Sequence, residues 1–320
     1  MISSQTALAA DTFRNISETE RGERARRAAA GALVLRACAG DADEFGMRRA
    51  AAEVAGLEKS GEKTILLRIL RVLEDGGSAA RLSPALVSYA CELERTRRLP
   101  EADAAVSLAL VMDAGSCTTA LHAARLARKL GDRERALALY CAARDLDARD
   151  GAIARLAAVG EAVVSDDAVA RLGRAVRGAL RAGDGEAAAV GLEERATLRR
   201  HAGDLAGAAR DLVLAAARYP EAVDRARVAH ALAGVLLARG DTDGAQEALL
   251  SALAWGDAPQ QDHARTRLHT LARDLGDQVG MRRWRSFKRP SLVSLSAYRP
   301  RPSARTLAPR LRAWREAAAV

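Results

Sequence analysis

The chain has 320 residues, 49% of them hydrophobic but only 3% aromatic, with a formal net charge of +9. Its four cysteines, Cys38, Cys91, Cys117 and Cys141, form no Cys-x-x-Cys pair, which argues against a disulfide framework and for a reducing compartment. The start lacks the basic and apolar regions of a signal peptide, and the most apolar stretch, Ala104 to Met112, falls far short of the roughly 20 residues of a membrane span. A soluble, cytoplasmic protein is therefore expected, with each cysteine a small buried core residue.

The apolar content is mostly Ala, Leu and Val, a mixture that builds helices whose small side chains allow close approach. Arg outnumbers Lys 46 to 4. We read that bias as coding preference, so an Arg count alone carries little. The distribution carries more. Residues 1–280 hold 39 basic and 40 acidic side chains, whereas Arg282 to Arg315 holds eleven Lys or Arg and no acid. A neutral body with a cationic tail points to an anionic destination for the tail.

Along the chain, residues 1–21 read as a flexible arm. Residues 22–288 then read as fourteen or fifteen short helices. Their breaks are Gly-Asp pairs at 40–41, 131–132, 183–184, 203–204, 240–241, 256–257 and 276–277. Gly takes the left-handed conformation that ends one helix, and Asp accepts backbone N–H bonds at the start of the next. Ser83-Pro84 predicts a further start, with Ser as cap and Pro at the first helical position. Leu99-Pro100 takes the place of Gly-Asp at another turn.

Residues 56–64, Gly-Leu-Glu-Lys-Ser-Gly-Glu-Lys-Thr, fall one insertion from a phosphate-binding loop. That loop needs Gly directly before Lys. Glu62 intervenes, and the preceding segment is helical, so a linker is expected. His122, His201, His230, His263 and His269 include no pair at the i, i+4 spacing of a helical zinc site. Asp241-Thr242-Asp243-Gly244 lacks the later ligands of a calcium loop and reads as a cap. No nucleophile motif appears. No metal, cofactor or catalytic residue is expected.

After several turns, small and large residues recur at offsets of five, nine and twelve. Gly131 is followed by Ala136, Tyr140 and Ala143, Gly203 by Ala208, Leu212 and Ala215, and Gly240 by Ala245, Leu249 and Ala252. Each trio lies on one helical face. This spacing resembles the tetratricopeptide repeat, a 34-residue helix-turn-helix. The matches are 117–150, 189–222 and 226–259, with weaker ones at 85–118 and 262–289. The chain departs from the pattern in its first helices, where Trp and Leu-Gly give way to Ala, Leu and Arg. Arg199 stands at a position usually aromatic or aliphatic. Residues 22–82 and 151–182 fit the register poorly, and Gly183 and Gly203 stand only 20 residues apart, which implies an unpaired helix or a register shift.

The resemblance implies an all-α, tetratricopeptide-like helical-repeat solenoid of about seven helix pairs over 22–288, with a basic C-terminal tail over 289–320. It also implies that the first helix of each repeat lines a partner groove. The positions carried over are Tyr89, Arg97, Arg125, Arg128, Lys129, Arg200, His201, Arg227, His230, His263 and Arg273. That set is more basic than acidic, and suits an acidic or C-terminal peptide segment held by Arg pairing. A clamp that relies on Asn is not expected, because Asn15 is the one Asn in the chain.

The tail pairs cations with aromatics. Its residues of interest are Arg282, Arg283, Trp284, Arg285, Phe287, Lys288 and Arg289, then Tyr298, Arg299 and Arg301 in an extended stretch, and Trp314 in a short amphipathic helix. Such a segment can dock on an acidic protein, pack back on the last repeat, bind nucleic acid or lie on an anionic membrane surface. The expected function is a non-enzymatic protein-interaction scaffold with an acidic protein partner. The alternative is a regulatory protein that contacts nucleic acid through the tail.

Overall fold

A computed structural model describes residues 11–16, 21–147 and 151–286. Among the described residues there are sixteen helical segments and no strand. The chain divides into two compact units, Met1–Val164 and Ser165–Val320. The first contains α1 (residues 11–16), α2 (Glu23–Cys38), α3 (Glu44–Gly56), α4 (Gly61–Glu74), α5 (Ala79–Arg95), α6 (Leu99–Met112), α7 (Cys117–Leu130), α8 (Arg133–Leu146) and α9 (Ala152–Val163). The second contains α10 (Ala168–Arg181), α11 (Gly185–His201), α12 (Leu205–Arg218), α13 (Ala222–Ala238), α14 (Thr242–Trp255), α15 (Ala258–Asp274) and α16 (Gln278–Ser286).

Two-residue turns set the architecture. At the end of α7, Gly131 has φ +84°, and the amide of Asp132 reaches back to the Ala127 carbonyl at 2.9 Å. The Asp132 carboxylate then accepts from the Arg135 amide at 3.1 Å and opens α8. Reversing the chain within two residues leaves the new helix antiparallel to the old one and against it. Within each unit, from α2 onward, every helix packs on the one before and the one after. Each unit is thus a tetratricopeptide-like run of paired helices.

The crowding at Gly183 and Gly203 resolves without an unpaired helix. Gly183 ends α10 and Gly203 ends α11, so the two turns sit at opposite ends of the same helix. Helices α9 and α10, from the stretch that fitted the register poorly, are complete helices of 12 and 14 residues.

The offset-five, -nine and -twelve residues face the core. Ala136, Tyr140, Ala143, Ala208, Leu212, Ala215, Ala245, Leu249 and Ala252 are all buried, none more than 3% exposed. Tyr140 lies against Gly160, where a Cβ would overlap the ring. Polar contacts about one helix pair apart in sequence tie neighbouring pairs together. Ser83 and Thr119 share a hydrogen bond of 3.3 Å, and Arg135 donates to Asp103 at 2.8 Å.

Each unit also buries a carboxylate on arginine. In the first, Arg98 donates through Nη1 to Glu62 at 2.8 Å and through Nε to Glu101 at 2.8 Å. Its Nη2 stands 2.8 Å from the same Glu101 oxygen, at an angle too poor for a hydrogen bond. Tyr89 donates its hydroxyl to Glu62 at 3.1 Å. Burial opposes the Arg98 charge, but Glu62, Tyr89 and Glu101 outweigh it and raise its pKa. In the second unit, Asp211 on α12 accepts two bonds from Arg195, at 2.7 and 2.9 Å, and one from Arg199 at 2.9 Å. Arg199 occupies its unusual repeat position because it reaches this buried acid.

Several expectations are corrected. Helix α5 begins at Ala79, not at Ser83, and Pro84 lies inside it. The missing Pro N–H forfeits a single helical bond, while Leu82 and Ser83 ahead of it are buried. Within the 1–21 arm, residues 11–16 are helical and Phe13 is fully buried, stacked on Tyr89 with ring centroids 6.1 Å apart. Of the cysteines only Cys38 is buried, its thiol pushed up to about 12 by that burial. Cys91 is exposed, and Cys117 and Cys141 are half-buried. The 56–64 segment is a helix junction, as its Glu62 suggested. Ser60 caps α4, and Lys63 donates to the carbonyls of Ala55 and Leu57 at 2.6 and 2.7 Å.

Arg97, between α5 and α6, is the one non-glycine residue with positive φ, +62°, among the described residues. A left-handed side chain costs on the order of 1 kcal/mol, so Arg97→Gly is expected to leave stability unchanged or raise it by several tenths of a kcal/mol in urea unfolding. Arg98→Met, which strands Glu62 and Glu101 in the interior, is expected to cost about 3–5 kcal/mol in the same measurement.

Candidate functional site

Alternate helices touch directly, α5 with α7 and α7 with α9 in the first unit, and α13 with α15 in the second. Some of the positions expected to line a groove fall on these shared faces, which differ between the two units.

In the first unit, Tyr89 is not on this face. It is fully buried between Phe13 and Glu62, because an aromatic ring in an alanine-rich chain is the large side chain that fills a gap. Burial first, and then the Glu62 charge, raise its pKa. Lys129 forms an ion pair with Glu94, from α7 to α5. Arg95 holds Glu92 through two bonds of 2.7 and 2.8 Å. A hollow of about 520 Å³ opens here, lined by Cys91, Glu94, Arg95, Arg97, Leu99 and Lys129. Arg97 and Lys129 are thus brought to one place. Arg125 stands one turn before Arg128 on α7, half-buried, next to His122. The His122 ring approaches Cys91 at 3.9 Å. Arg128 is half-buried in the last turn of the same helix.

In the second unit, Arg227 on α13 forms an ion pair with Glu193 on α11 and another with Asp224 at 3.2 Å. Its guanidinium lies over the Tyr219 ring, 5.4 Å from the centroid, and Tyr219 donates to Glu193 at 2.8 Å. Burial works against the Arg227 charge, yet Glu193 and Tyr219 raise its pKa overall. One turn further on, the His230 ring meets His263 of α15 edge to face, centroids 4.8 Å apart. His230 Nε2 lies 3.2 Å from the Gln260 carbonyl, so Nε2 carries the proton in the neutral ring and Nδ1 is the bare nitrogen. Arg267, one turn after His263, donates to the His230 carbonyl at 2.9 Å.

Arg227, His230 and His263 therefore come together. Arg200 and His201 are exposed at the end of α11, and Arg273 is exposed at the end of α15, where it pairs with Asp274 at 3.2 Å. None of the three contacts that cluster. Glu193, Tyr219, Gln260 and Arg267 complete it. Arg267 was within reach of sequence reasoning, since it follows His263 by four residues and so shares its face.

Of the tail residues, Trp284 is buried at 4% exposure against the core of the second unit, and its carbonyl accepts from Arg265 at 3.4 Å. For this side chain, packing back on the last repeat is the alternative that the burial matches. A large apolar ring on the last helix pair finds its partner in the adjacent helix. Arg282, Arg283 and Arg285 flank it, exposed. Phe287, Lys288, Arg289, Tyr298, Arg299, Arg301 and Trp314 lie outside the described residues. No described helix is long and apolar enough to cross a membrane.

Two histidines carry depressed pKa values. Burial lowers His122, helped by Arg125 and opposed by Glu94. Burial lowers His230, helped by His263 and Arg267 and opposed by the Gln260 carbonyl. Each therefore contributes stability that is present above the ordinary imidazole value of 6.5 and lost as pH falls through the depressed folded value. The thermal midpoint is expected to drop between about pH 7 and pH 5, and His122→Asn with His230→Asn is expected to flatten that drop in a calorimetric pH series.

No family model matches this sequence, and no curated protein matches it. Among solved structures, the crystal structure of yeast Tom70 matches with a TM-score of 0.49 and 14% identity, over 89% of this chain. The chain spans 63% of the length of that Tom70 chain. The helix pairing described above stands on its own geometry.

Proposed function

We propose that this protein is a non-enzymatic interaction scaffold. It recruits a protein partner by holding an extended acidic segment along the alternate-helix face of its repeats. The basic segment beyond residue 286 docks on an anionic surface of the same assembly. The observation that carries this reading is the convergence of Arg227, His230, His263 and Arg267 from α13 and α15, with Arg200 and Arg273 exposed at the helix ends. Side chains from separate helices that share one face give a ligand several contacts at a fixed spacing, which suits an extended chain. Two linked sites, face and tail, raise avidity without new chemistry.

A mixture of acidic peptides titrated into the full chain by calorimetry tests the reading. Arg200→Glu with Arg273→Glu is expected to weaken binding about tenfold, since two attractions become repulsions, while the unfolding midpoint stays within about 0.5 kcal/mol of the parent. Equal affinity in parent and variant overturns the face assignment. Binding of nucleic acid that vanishes on removal of residues 287–320, with a log–log salt slope near −0.9 per phosphate contacted, would support the nucleic-acid role instead.

A further inference from the structure

Where the end of a described helix enters the left-handed region, the residue there is glycine, with Arg97 the one exception. Glycine adopts that backbone conformation without strain, so the side chain is kept there against a backbone cost. Strained positions of this kind gather at ligand-binding sites. Arg97 stands in the wall of the first unit's hollow, with Cys91, Glu94, Arg95, Leu99 and Lys129. It is exposed, and its guanidinium has no hydrogen bond or ion pair among the described residues.

This wall offers far more donors than acceptors. Three cations, Arg95, Arg97 and Lys129, line it with one carboxylate, Glu94. Arg95 uses Nε and Nη2 on Glu92, which leaves Nη1. The Lys129 ammonium has three donors, of which its bond to Glu94 uses one. All the donors of the Arg97 fork remain. On α7, Arg125 stands one turn before Lys129, half-buried, and near enough to the Cys91 thiol for its charge to act there. No described carboxylate pairs with Arg125.

The ligand that complements such a wall has several acceptor oxygens, no donor, and two negative charges to balance three cations less one acid. A phosphate monoester has these properties, with three terminal oxygens and close to two charges at neutral pH. A carboxylate brings two oxygens and one charge. Leu99 and the Cys91 thiol leave a less polar side for the methylene that joins a phosphoryl group to its chain.

We propose that this hollow holds a phosphorylated serine of the partner's acidic segment, with Arg97 as the fork that grips the phosphoryl oxygens. Lys129 stands between those oxygens and Glu94 and keeps the two anions apart. The proposal rests on the scaffold reading and adds its regulation, since the partner's modification state then sets the affinity. It also gives a reason for an arginine where glycine is the unstrained choice.

The test uses the full chain and three rhodamine-labelled pentapeptides, each with four aspartates around a central phosphoserine, serine or glutamate. Binding is followed by fluorescence anisotropy at fixed ionic strength and about pH 7.5, where the phosphoryl group is a dianion. The phosphoserine peptide is expected to bind about tenfold more tightly than the serine peptide and about fivefold more tightly than the glutamate peptide. Arg97→Gly, which relieves the backbone and keeps the fold, is expected to remove most of that advantage. Arg200→Glu with Arg273→Glu, in the second unit, is expected to weaken all three peptides alike and leave their ratio unchanged. Equal affinity for the phosphoserine and glutamate peptides, or an advantage that survives in Arg97→Gly, overturns the proposal. The scaffold reading stands in that case as long as the second-unit variant still weakens binding. Binding of none of the three peptides overturns both.

Discussion

A chain with so few aromatic side chains has to bring its helices close together, and the two-residue turn is what does so. Gly131 in the left-handed region and Asp132 as the following cap show the device in full. Gly203 with Asp204 and Gly240 with Asp241 use it again. A longer connection would let the next helix wander, and alanine buries too little area to pull it back. With the turn in place, Ala136, Ala143, Ala208 and Ala215 lie flat against the neighbouring helix at no measurable exposure. The core is then a series of thin interfaces between neighbours, and stability accumulates from each interface in turn.

Thin apolar interfaces are permissive about which helix meets which. The buried carboxylates add discrimination. Glu62 on α4 meets Arg98 at the head of α6, and Asp211 on α12 meets Arg195 and Arg199 on α11. A buried ion pair adds little net stability compared with apolar packing, but a wrong pairing strands a charge in the interior and costs several kcal/mol. These two sites therefore act as registration points, and they account for arginines that an alanine-rich repeat does not otherwise need.

Much of the fold was legible because it is written in local chemistry. The Gly-Asp pairs and the offsets of five, nine and twelve need only the neighbours on the same helix or turn. They located the ends of α7, α11 and α13 and the buried faces of α8, α12 and α14. The signals that failed are those decided by another helix. Ser83-Pro84 has the form of a helix start, yet α5 begins earlier because Leu82 and Ser83 are buried within it. Tyr89 occupies a groove position in the repeat pattern, yet Phe13, some seventy-five residues upstream in the sequence, closes over it. Trp284 among its arginines left docking and internal packing both open, and only the adjacent helix settles that its ring is buried.

The same division holds for the candidate site. The sequence by itself determined which residues share a helical face, and the repeat pattern it resembles pointed to Arg227 and His230 on one helix and His263 on another. It also determined the all-helical class, since period and turn chemistry are local properties of the backbone. Only the tertiary structure decided which faces meet, which arginines are spoken for by carboxylates, and which reach a backbone carbonyl instead. Those outcomes depend on contacts between helices, from Arg199 with Asp211 twelve positions on to Arg98 with Glu62 thirty-six positions back, which no local rule of helix or turn contains.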